Sequence, residues 1–196
     1  MKLRVVHALK GGRGVLMILS AVLLAANVAA EELADQAALC ETCHLENGQN
    51  TDTGVPIVHG QEYYYLYLQL KDFKAGRRAN PIMNGIVQDL DKEQMKALAT
   101  YFAGHSWPRT GYRASDVIDG KAKAGLSAGQ CVQCHLGGYE GSGAVPRLAG
   151  QHPTYLERTM LEFKDKTRQN APDKSSLLRT YQEEDIAAMA EYLGGL

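Results

Sequence analysis

Two stretches of the sequence share one form, "CETCH" at residues 40–44 and "CVQCH" at residues 131–135. Each has two cysteines separated by two residues, and a histidine follows the second cysteine directly. The chain of 196 residues has four cysteines, and all four lie in these two boxes. A spacing this restricted, used twice, indicates that the cysteines and histidines act together at two equivalent sites.

Three kinds of chemistry use cysteines at such spacings. Four cysteines can form two disulfides in an oxidising compartment, and two C-x-x-C pairs can hold a zinc ion. C-x-x-C-H is also the attachment sequence of c-type haem, in which two thiols bond the vinyl groups and the histidine binds the iron. Disulfides and a four-thiolate zinc site have no use for His44 or His135. The sequence therefore favours two covalently bound haem c groups, attached at Cys40, Cys43, Cys131 and Cys134.

The first 30 residues predict an export signal. A basic start is followed by the apolar run of residues 15–28, and small residues precede Glu31. The run is shorter than the roughly 20 apolar residues of a membrane-spanning helix, which disfavours the alternative of a retained anchor. We expect cleavage near Ala30 and a soluble exported protein.

Charge narrows the range of partners. The signal segment has four of the 21 Lys and Arg residues and none of the 22 Asp and Glu, so the remaining chain has a net charge of −5. It has no block of like charge, which argues against nucleic acid as a partner. The carboxylates are scattered and no nucleotide-binding loop is apparent, so no catalytic site is predicted.

The boxes belong to a longer internal repeat, offset by 90 or 91 residues. Val55-Pro56 matches Val145-Pro146, and Gly60-Gln61 matches Gly150-Gln151. Further matches are Tyr65 with Tyr155, Arg78 with Arg168, and residues 97–104 with residues 188–195. We therefore predict a signal peptide (1–30) and two domains, half 1 (31–110) and half 2 (111–196). Halves of about 80 residues have small cores, to which a buried porphyrin would add apolar mass.

Each half predicts three helices. One leads into the box, a second begins after the "GQ" pair, and a third closes the half with acidic residues at its start and glycine at its end. The fold class is therefore mostly α, with helices wrapped around a covalently attached haem.

The chain resembles a known family. Two C-x-x-C-H halves in tandem, each with a "VP…GQ…YL" stretch and a closing "ATYFAG" or "AEYLGG", resemble the dihaem cytochrome c4 type over residues 33–196. The resemblance implies two tandem class I cytochrome c domains, a periplasmic location and an electron-carrier role. It also implies one histidine and one methionine as the iron ligands of each haem.

The ligand pattern applies more clearly to half 1. His44 and His135 are the expected proximal ligands, and Met83, in a loop between Pro81 and Gly85, suits the sixth position of haem 1. Counting back from the closing helix, the residue that matches Met83 is Lys174. The sixth ligand of haem 2 is then Lys174, His152 or a displaced methionine, or the position is open.

The sequence also suggests roles for two prolines, two arginines and two histidines. The carbonyls of Pro56 and Pro146 are expected to hold the proximal histidines. Arg78 and Arg168 either pair with haem propionates or are exposed. His59 and His105 have no counterpart in half 2 and are expected on the surface.

The function expected from these sites is electron transport rather than catalysis. The donor would be a quinol-oxidising complex or a sulfur-compound dehydrogenase, and the acceptor a terminal oxidase or photosynthetic reaction centre, with transient docking on membrane complexes. One alternative is an electron-accepting subunit of a thiosulfate or sulfide dehydrogenase. A third hypothesis is a dihaem enzyme, such as a peroxidase, with an open haem 2.

Overall fold

The computed structural model describes residues 30–50 and 52–196, so the predicted signal peptide lies outside the described residues except for Ala30. In half 1, α1 covers residues 30–41 and is followed by α2 (Tyr63–Lys74), α3 (Pro81–Ile86) and α4 (Lys92–Ala103). Half 2 has a 3-10 turn (Asp116–Ile118), then α5 (Asp119–Ala128), α6 (Val132–His135), α7 (Pro153–Lys164), α8 (Pro172–Leu178) and α9 (Glu183–Gly194). Within the described residues the only β-type pairing is a single bridge, and no helix is long and apolar enough to cross a membrane.

The closing helices α4 and α9 are set by local sequence. Asp91 caps α4 through a reciprocal pair of hydrogen bonds with Gln94, and at the start of α9 the Asp185 carboxylate accepts a hydrogen bond from the Gln182 amide at 3.3 Å. In α4 the buried residues recur every three or four positions, so one face is apolar: Met95, Leu98, Ala99 and Phe102.

Each half has its own hydrophobic core. In half 1, α2 packs against α4, and Leu66, Tyr67 and Leu98 are among the buried residues between them. In half 2, α9 packs against both α5 and α7 around Ile186, Met189 and Leu193. The predicted mostly α fold and the three main helices of each half are confirmed.

One expectation about local structure was wrong. The segment with Met83, predicted as a loop, forms the short helix α3, and the matching segment with Lys174 forms α8. Each helix begins at a proline, a residue that suits the first helical position because its missing N–H would have no intrahelical acceptor there. Helices of six and seven residues are too short for hydrophobic periodicity to reveal.

The two halves clamp each other through the matched glutamines. Gln151 accepts a hydrogen bond from the Ile57 amide at 2.8 Å and donates to the Ile57 carbonyl at 2.9 Å. Gln61 does the same with Arg147, at 2.8 Å and 3.0 Å. Because Ile57 and Arg147 occupy equivalent positions of the repeat, the interface has approximate two-fold symmetry.

The matched glycines let the linker lie at this interface. Gly60 and Gly150 have φ values of +71° and +73°, in the left-handed region that side chains disfavour. A Cβ on Gly60 would lie 2.5 Å from the backbone nitrogen of Trp107, and one on Gly150 would lie 2.9 Å from the Trp107 ring. Trp107 therefore packs against both glycines, and it anchors the non-helical linker between the halves.

Candidate functional site

Each box is folded as a tight turn that gathers its three functional side chains. The His44 amide donates to the Cys40 carbonyl at 3.0 Å, and the His135 amide donates to the Cys131 carbonyl at 3.0 Å. In half 1 the turn continues the end of α1, and in half 2 it includes the short helix α6. One turn of helix brings positions i and i+3 or i+4 to the same side. Both cysteines and the histidine of a box can therefore face one bound group.

The histidines are held in a single orientation. Nδ1 of His44 lies 2.7 Å from the Pro56 carbonyl oxygen, and Nδ1 of His135 lies 2.8 Å from that of Pro146. A carbonyl oxygen only accepts, so Nδ1 carries the proton and Nε2 keeps a lone pair for a metal. Burial lowers the pKa of both histidines, which favours the neutral imidazole that binds iron. The expected role of the two proline carbonyls is confirmed.

No disulfide joins any of the four cysteines. Burial raises the pKa of Cys40 to about 11 and also raises that of Cys131. Within residues 30–50 and 52–196, no three His, Cys, Asp or Glu side chains are grouped to hold a metal ion. Pairs of adjacent thiols next to an oriented imidazole fit the attachment chemistry of haem c.

The two candidate distal residues occupy equivalent positions. Met83 is the third residue of α3 and Lys174 is the third residue of α8. Lys174 pairs with Asp173. Burial raises the pKa of Cys131 and lowers that of His135, and the charge of Lys174 opposes the first shift and adds to the second, so the ammonium lies near the second box. Met83 is half-buried and belongs to neither hydrophobic core.

The other candidates for the second distal position have different surroundings. His152 precedes α7, is buried near the backbone of Gly48 in half 1, and its Nε2 has no hydrogen-bond partner among the described residues. Met189 is buried in the core of half 2, and Met160 packs against that core.

Two buried arginines at the interface suit an anionic group. Arg78 and Arg168 are 9% and 4% exposed, so neither is a surface residue. Their guanidinium carbons lie 4.5 Å and 4.4 Å from the ring centres of Phe73 and Phe163. Among the described residues neither has a carboxylate within 4.0 Å, and one Arg168 nitrogen is buried with no hydrogen-bond partner. Buried cations need a counter-charge, and the carboxylates of haem propionates would supply it.

Known proteins share this arrangement of sequence and structure. The family model for cytochrome c matches residues 121–196. Cytochrome c4 of Pseudomonas aeruginosa is 31% identical over 173 residues, covering 82% of this chain and 85% of that protein. The chain belongs to the cytochrome c4 family.

Two further comparisons agree with membership of the cytochrome c4 family. The crystal structure of reduced cytochrome c4 from Pseudomonas stutzeri superposes with a TM-score of 0.77 at 26% identity, covering 85% of this chain and 98% of that one. The thiosulfate dehydrogenase electron acceptor of Stutzerimonas stutzeri is 32% identical, covering 80% of this chain and 78% of that protein.

Membership of the cytochrome c4 family gives the general function. The chain is a dihaem electron carrier rather than an enzyme, with two class I cytochrome c folds and covalently bound haem c. Haem c supplies a one-electron ferric–ferrous couple, and its potential depends on the iron ligands and on the surrounding charges.

The surface position expected for His59 was wrong. His59 is fully buried, with Nε2 at 3.2 Å from a Glu41 carboxylate oxygen and its ring against Phe102 and His105. The same oxygen accepts from the Tyr101 hydroxyl at 3.0 Å. A lone histidine gives no signal of its burial in a sequence, because its partner Glu41 is 18 residues away.

The repeat in the sequence also contained a signal for residues of the interface. Gln61, Gln151 and Tyr155 appear in the repeat without a predicted role, whereas the aromatic run from Tyr63 to Tyr65 predicts packing on the haem and at the domain interface. Their positions in both halves follow from the approximate symmetry of the interface, where each contacts the opposite half.

Proposed function

We propose that this cytochrome carries electrons in the periplasm between redox proteins, with one haem in each of the domains 31–110 and 111–196. Cys40, Cys43, Cys131 and Cys134 attach the haems. His44 and His135 are the proximal ligands, Met83 is the sixth ligand in half 1, and Lys174 is the sixth ligand in half 2. Arg78 and Arg168 bind propionates at the interface.

One observation carries this proposal. In both halves the histidine of a C-x-x-C-H box has Nδ1 committed to a proline carbonyl, which leaves Nε2 for the iron. Structural disulfides or a thiolate metal site would not require an imidazole held in this way twice.

The attachment sites can be tested by counting haems. We expect the wild type to retain two haems per chain after extraction with acidic acetone, measured from the alkaline pyridine spectrum. Replacing Cys131 and Cys134 together by serine should leave one haem, in half 1. The matched variant with serine at positions 40 and 43 should leave one haem in half 2. Zinc without haem in the purified wild type would contradict the proposal.

The periplasmic location can be tested at the N-terminus. If residues 1–30 are an export signal, the mature protein begins at or within a residue or two of Glu31 and is released by osmotic shock. An intact N-terminus found in the membrane fraction alone would instead support an anchor.

A second candidate role is the electron-accepting subunit of a sulfur-compound dehydrogenase. The similarity to the thiosulfate dehydrogenase electron acceptor of Stutzerimonas stutzeri favours this role. A subunit should co-purify with one catalytic partner, whereas a free carrier should react with several redox proteins through weak, salt-sensitive contacts. Pull-down from a periplasmic extract at low and high salt distinguishes the two.

A further inference from the structure

The interface between the halves contains a buried polar network centred on Arg78 and Arg168. Gln69 of α2 accepts hydrogen bonds from both guanidinium groups, at 2.9 Å from Arg78 and 3.0 Å from Arg168. Its counterpart in half 2 is Thr159, whose hydroxyl has no partner among the described residues. The network is therefore unequal, although the arginines themselves are matched.

Arg78 is held by a residue of the opposite half. One of its nitrogens donates to the Tyr155 hydroxyl at 3.0 Å, and both side chains are buried. The matched guanidinium of Arg168 lies beside the Tyr65 hydroxyl. Burial opposes ionisation of Tyr155, but the charges of Arg78 and Arg168 outweigh it and lower its pKa to about 7. The hydroxyl therefore offsets part of the guanidinium charge.

Arg78 is also tied to the segment of half 1 that carries Met83. The side chain of Asn84, the residue after Met83, donates a hydrogen bond to the Arg78 carbonyl at 3.1 Å, and the Arg78 guanidinium carbon lies 4.5 Å from the ring centre of Phe73. The charge of Arg78 is therefore buried beside this segment, in a region where electrostatic interactions are poorly screened.

We propose that Tyr155, although it belongs to half 2, is a positioning residue for the haem of half 1. Its hydroxyl holds the Arg78 guanidinium in place and offsets part of its charge, and so adjusts the reduction potential of that haem. The proposal rests on the placement of one haem at each box. It makes the potential in one half depend on a side chain of the other half.

The sign of the effect follows from charge. Reduction of the iron removes one positive charge, so a nearby cation favours the ferrous state. Replacing Tyr155 by phenylalanine removes the acceptor and leaves the Arg78 charge less compensated. The potential of the half 1 haem should rise. Replacing Arg78 by glutamine removes the cation, so the same potential should fall.

The test is a spectroelectrochemical titration that resolves the two haems. At a fixed applied potential, we expect Tyr155→Phe to lower the ferric-to-ferrous ratio in half 1 by about threefold or more, with a smaller change in half 2. Arg78→Gln should shift the half 1 ratio in the opposite direction. The matched control Tyr65→Phe removes the hydroxyl beside Arg168 and should change half 1 less than Tyr155→Phe does.

The outcomes separate this inference from the proposed function. Haem content is measured first, and a wild type with fewer than two haems would contradict the proposed function itself. Given two haems, no shift, or an equal shift in both halves, would overturn the role of Tyr155 alone. Shifts of the same sign in Tyr155→Phe and Arg78→Gln would also overturn it, because a loosened interface would act on both variants alike. If Tyr155→Phe does not fold, Arg78→Gln is the deciding variant. A reduction potential of the half 1 haem that does not fall in Arg78→Gln overturns the role of Tyr155.

Discussion

At the scale of single residues, the largest difference between the halves is Lys174 in place of methionine. The two residues occupy the third position of equivalent helices, so the backbone presents them in the same way. A thioether is a soft ligand that stabilises ferrous iron, whereas an amine is harder. With the proposed ligands, half 2 should therefore have the lower reduction potential.

The variant Lys174→Met tests this difference. We expect a second methionine–iron charge-transfer band in the near-infrared spectrum and a higher potential for half 2, because the new thioether favours ferrous iron. Lys92→Met, at the exposed start of α4, is the control and should leave the spectrum unchanged. Two methionine bands already present in the wild type would contradict the assignment of Lys174.

At the scale of helices, the caps of α3 and α8 differ in a way that affects Met83. The Asn80 side chain accepts hydrogen bonds from the amides of Ile82 and Met83, at 3.1 Å and 2.9 Å. The equivalent residue before α8 is Ala171, which makes no such bond. The helix that presents Met83 is therefore fixed at its start by a side chain that half 2 lacks.

Replacing Asn80 by alanine should weaken this helix. Loss of a capping side chain costs about 1 kcal/mol of stability, and the freed α3 should hold Met83 less firmly. We expect a lower melting temperature and a weaker methionine–iron band in half 1. The reverse variant Ala171→Asn should stabilise half 2 slightly and leave that band unchanged. An unaltered band and melting temperature in Asn80→Ala would show that the cap is unimportant.

At the scale of the whole molecule, the two halves form one unit through their reciprocal contacts. The glutamine clamps, the tyrosine–arginine pairs and Trp107 all lie at the interface. In contrast, Arg158 bonds the Gly54 carbonyl at 2.7 Å without a symmetric counterpart. The symmetric contacts involve residues of the repeat, so the duplication produced an interface with matched surfaces.

The glutamine clamp predicts cooperative unfolding. Gln151→Ala removes both hydrogen bonds to Ile57. The buried amide and carbonyl of Ile57 are then unpaired, which costs about 1–3 kcal/mol of folding stability for each group. Calorimetry should show one transition for the wild type and two separated transitions for Gln151→Ala. Gln61→Ala is expected to act similarly, and the exposed Gln88→Ala to have little effect. A single unshifted transition in Gln151→Ala would mean that the clamp does not couple the halves.

The sequence by itself determined the features that depend on local spacing. The boxes and the amphipathic helices each lie within a few turns of chain, and the repeat is a direct match between two stretches of sequence. Side-chain types and periods therefore predicted two haem sites in a mostly α fold. The proline carbonyls were also predictable, because Pro56 and Pro146 have matching places in both halves.

Only the tertiary structure decided the features that join distant parts of the chain. The burial of His59 depends on Glu41 and Phe102, and the environment of Arg78 depends on Tyr155, 77 residues further along. The helical form of the segments with Met83 and Lys174 was missed because six or seven residues hold too few turns for a periodic pattern. A repeat shows that two halves are alike, but which surfaces meet is set by packing between them, and that packing brings the two arginines together on Gln69.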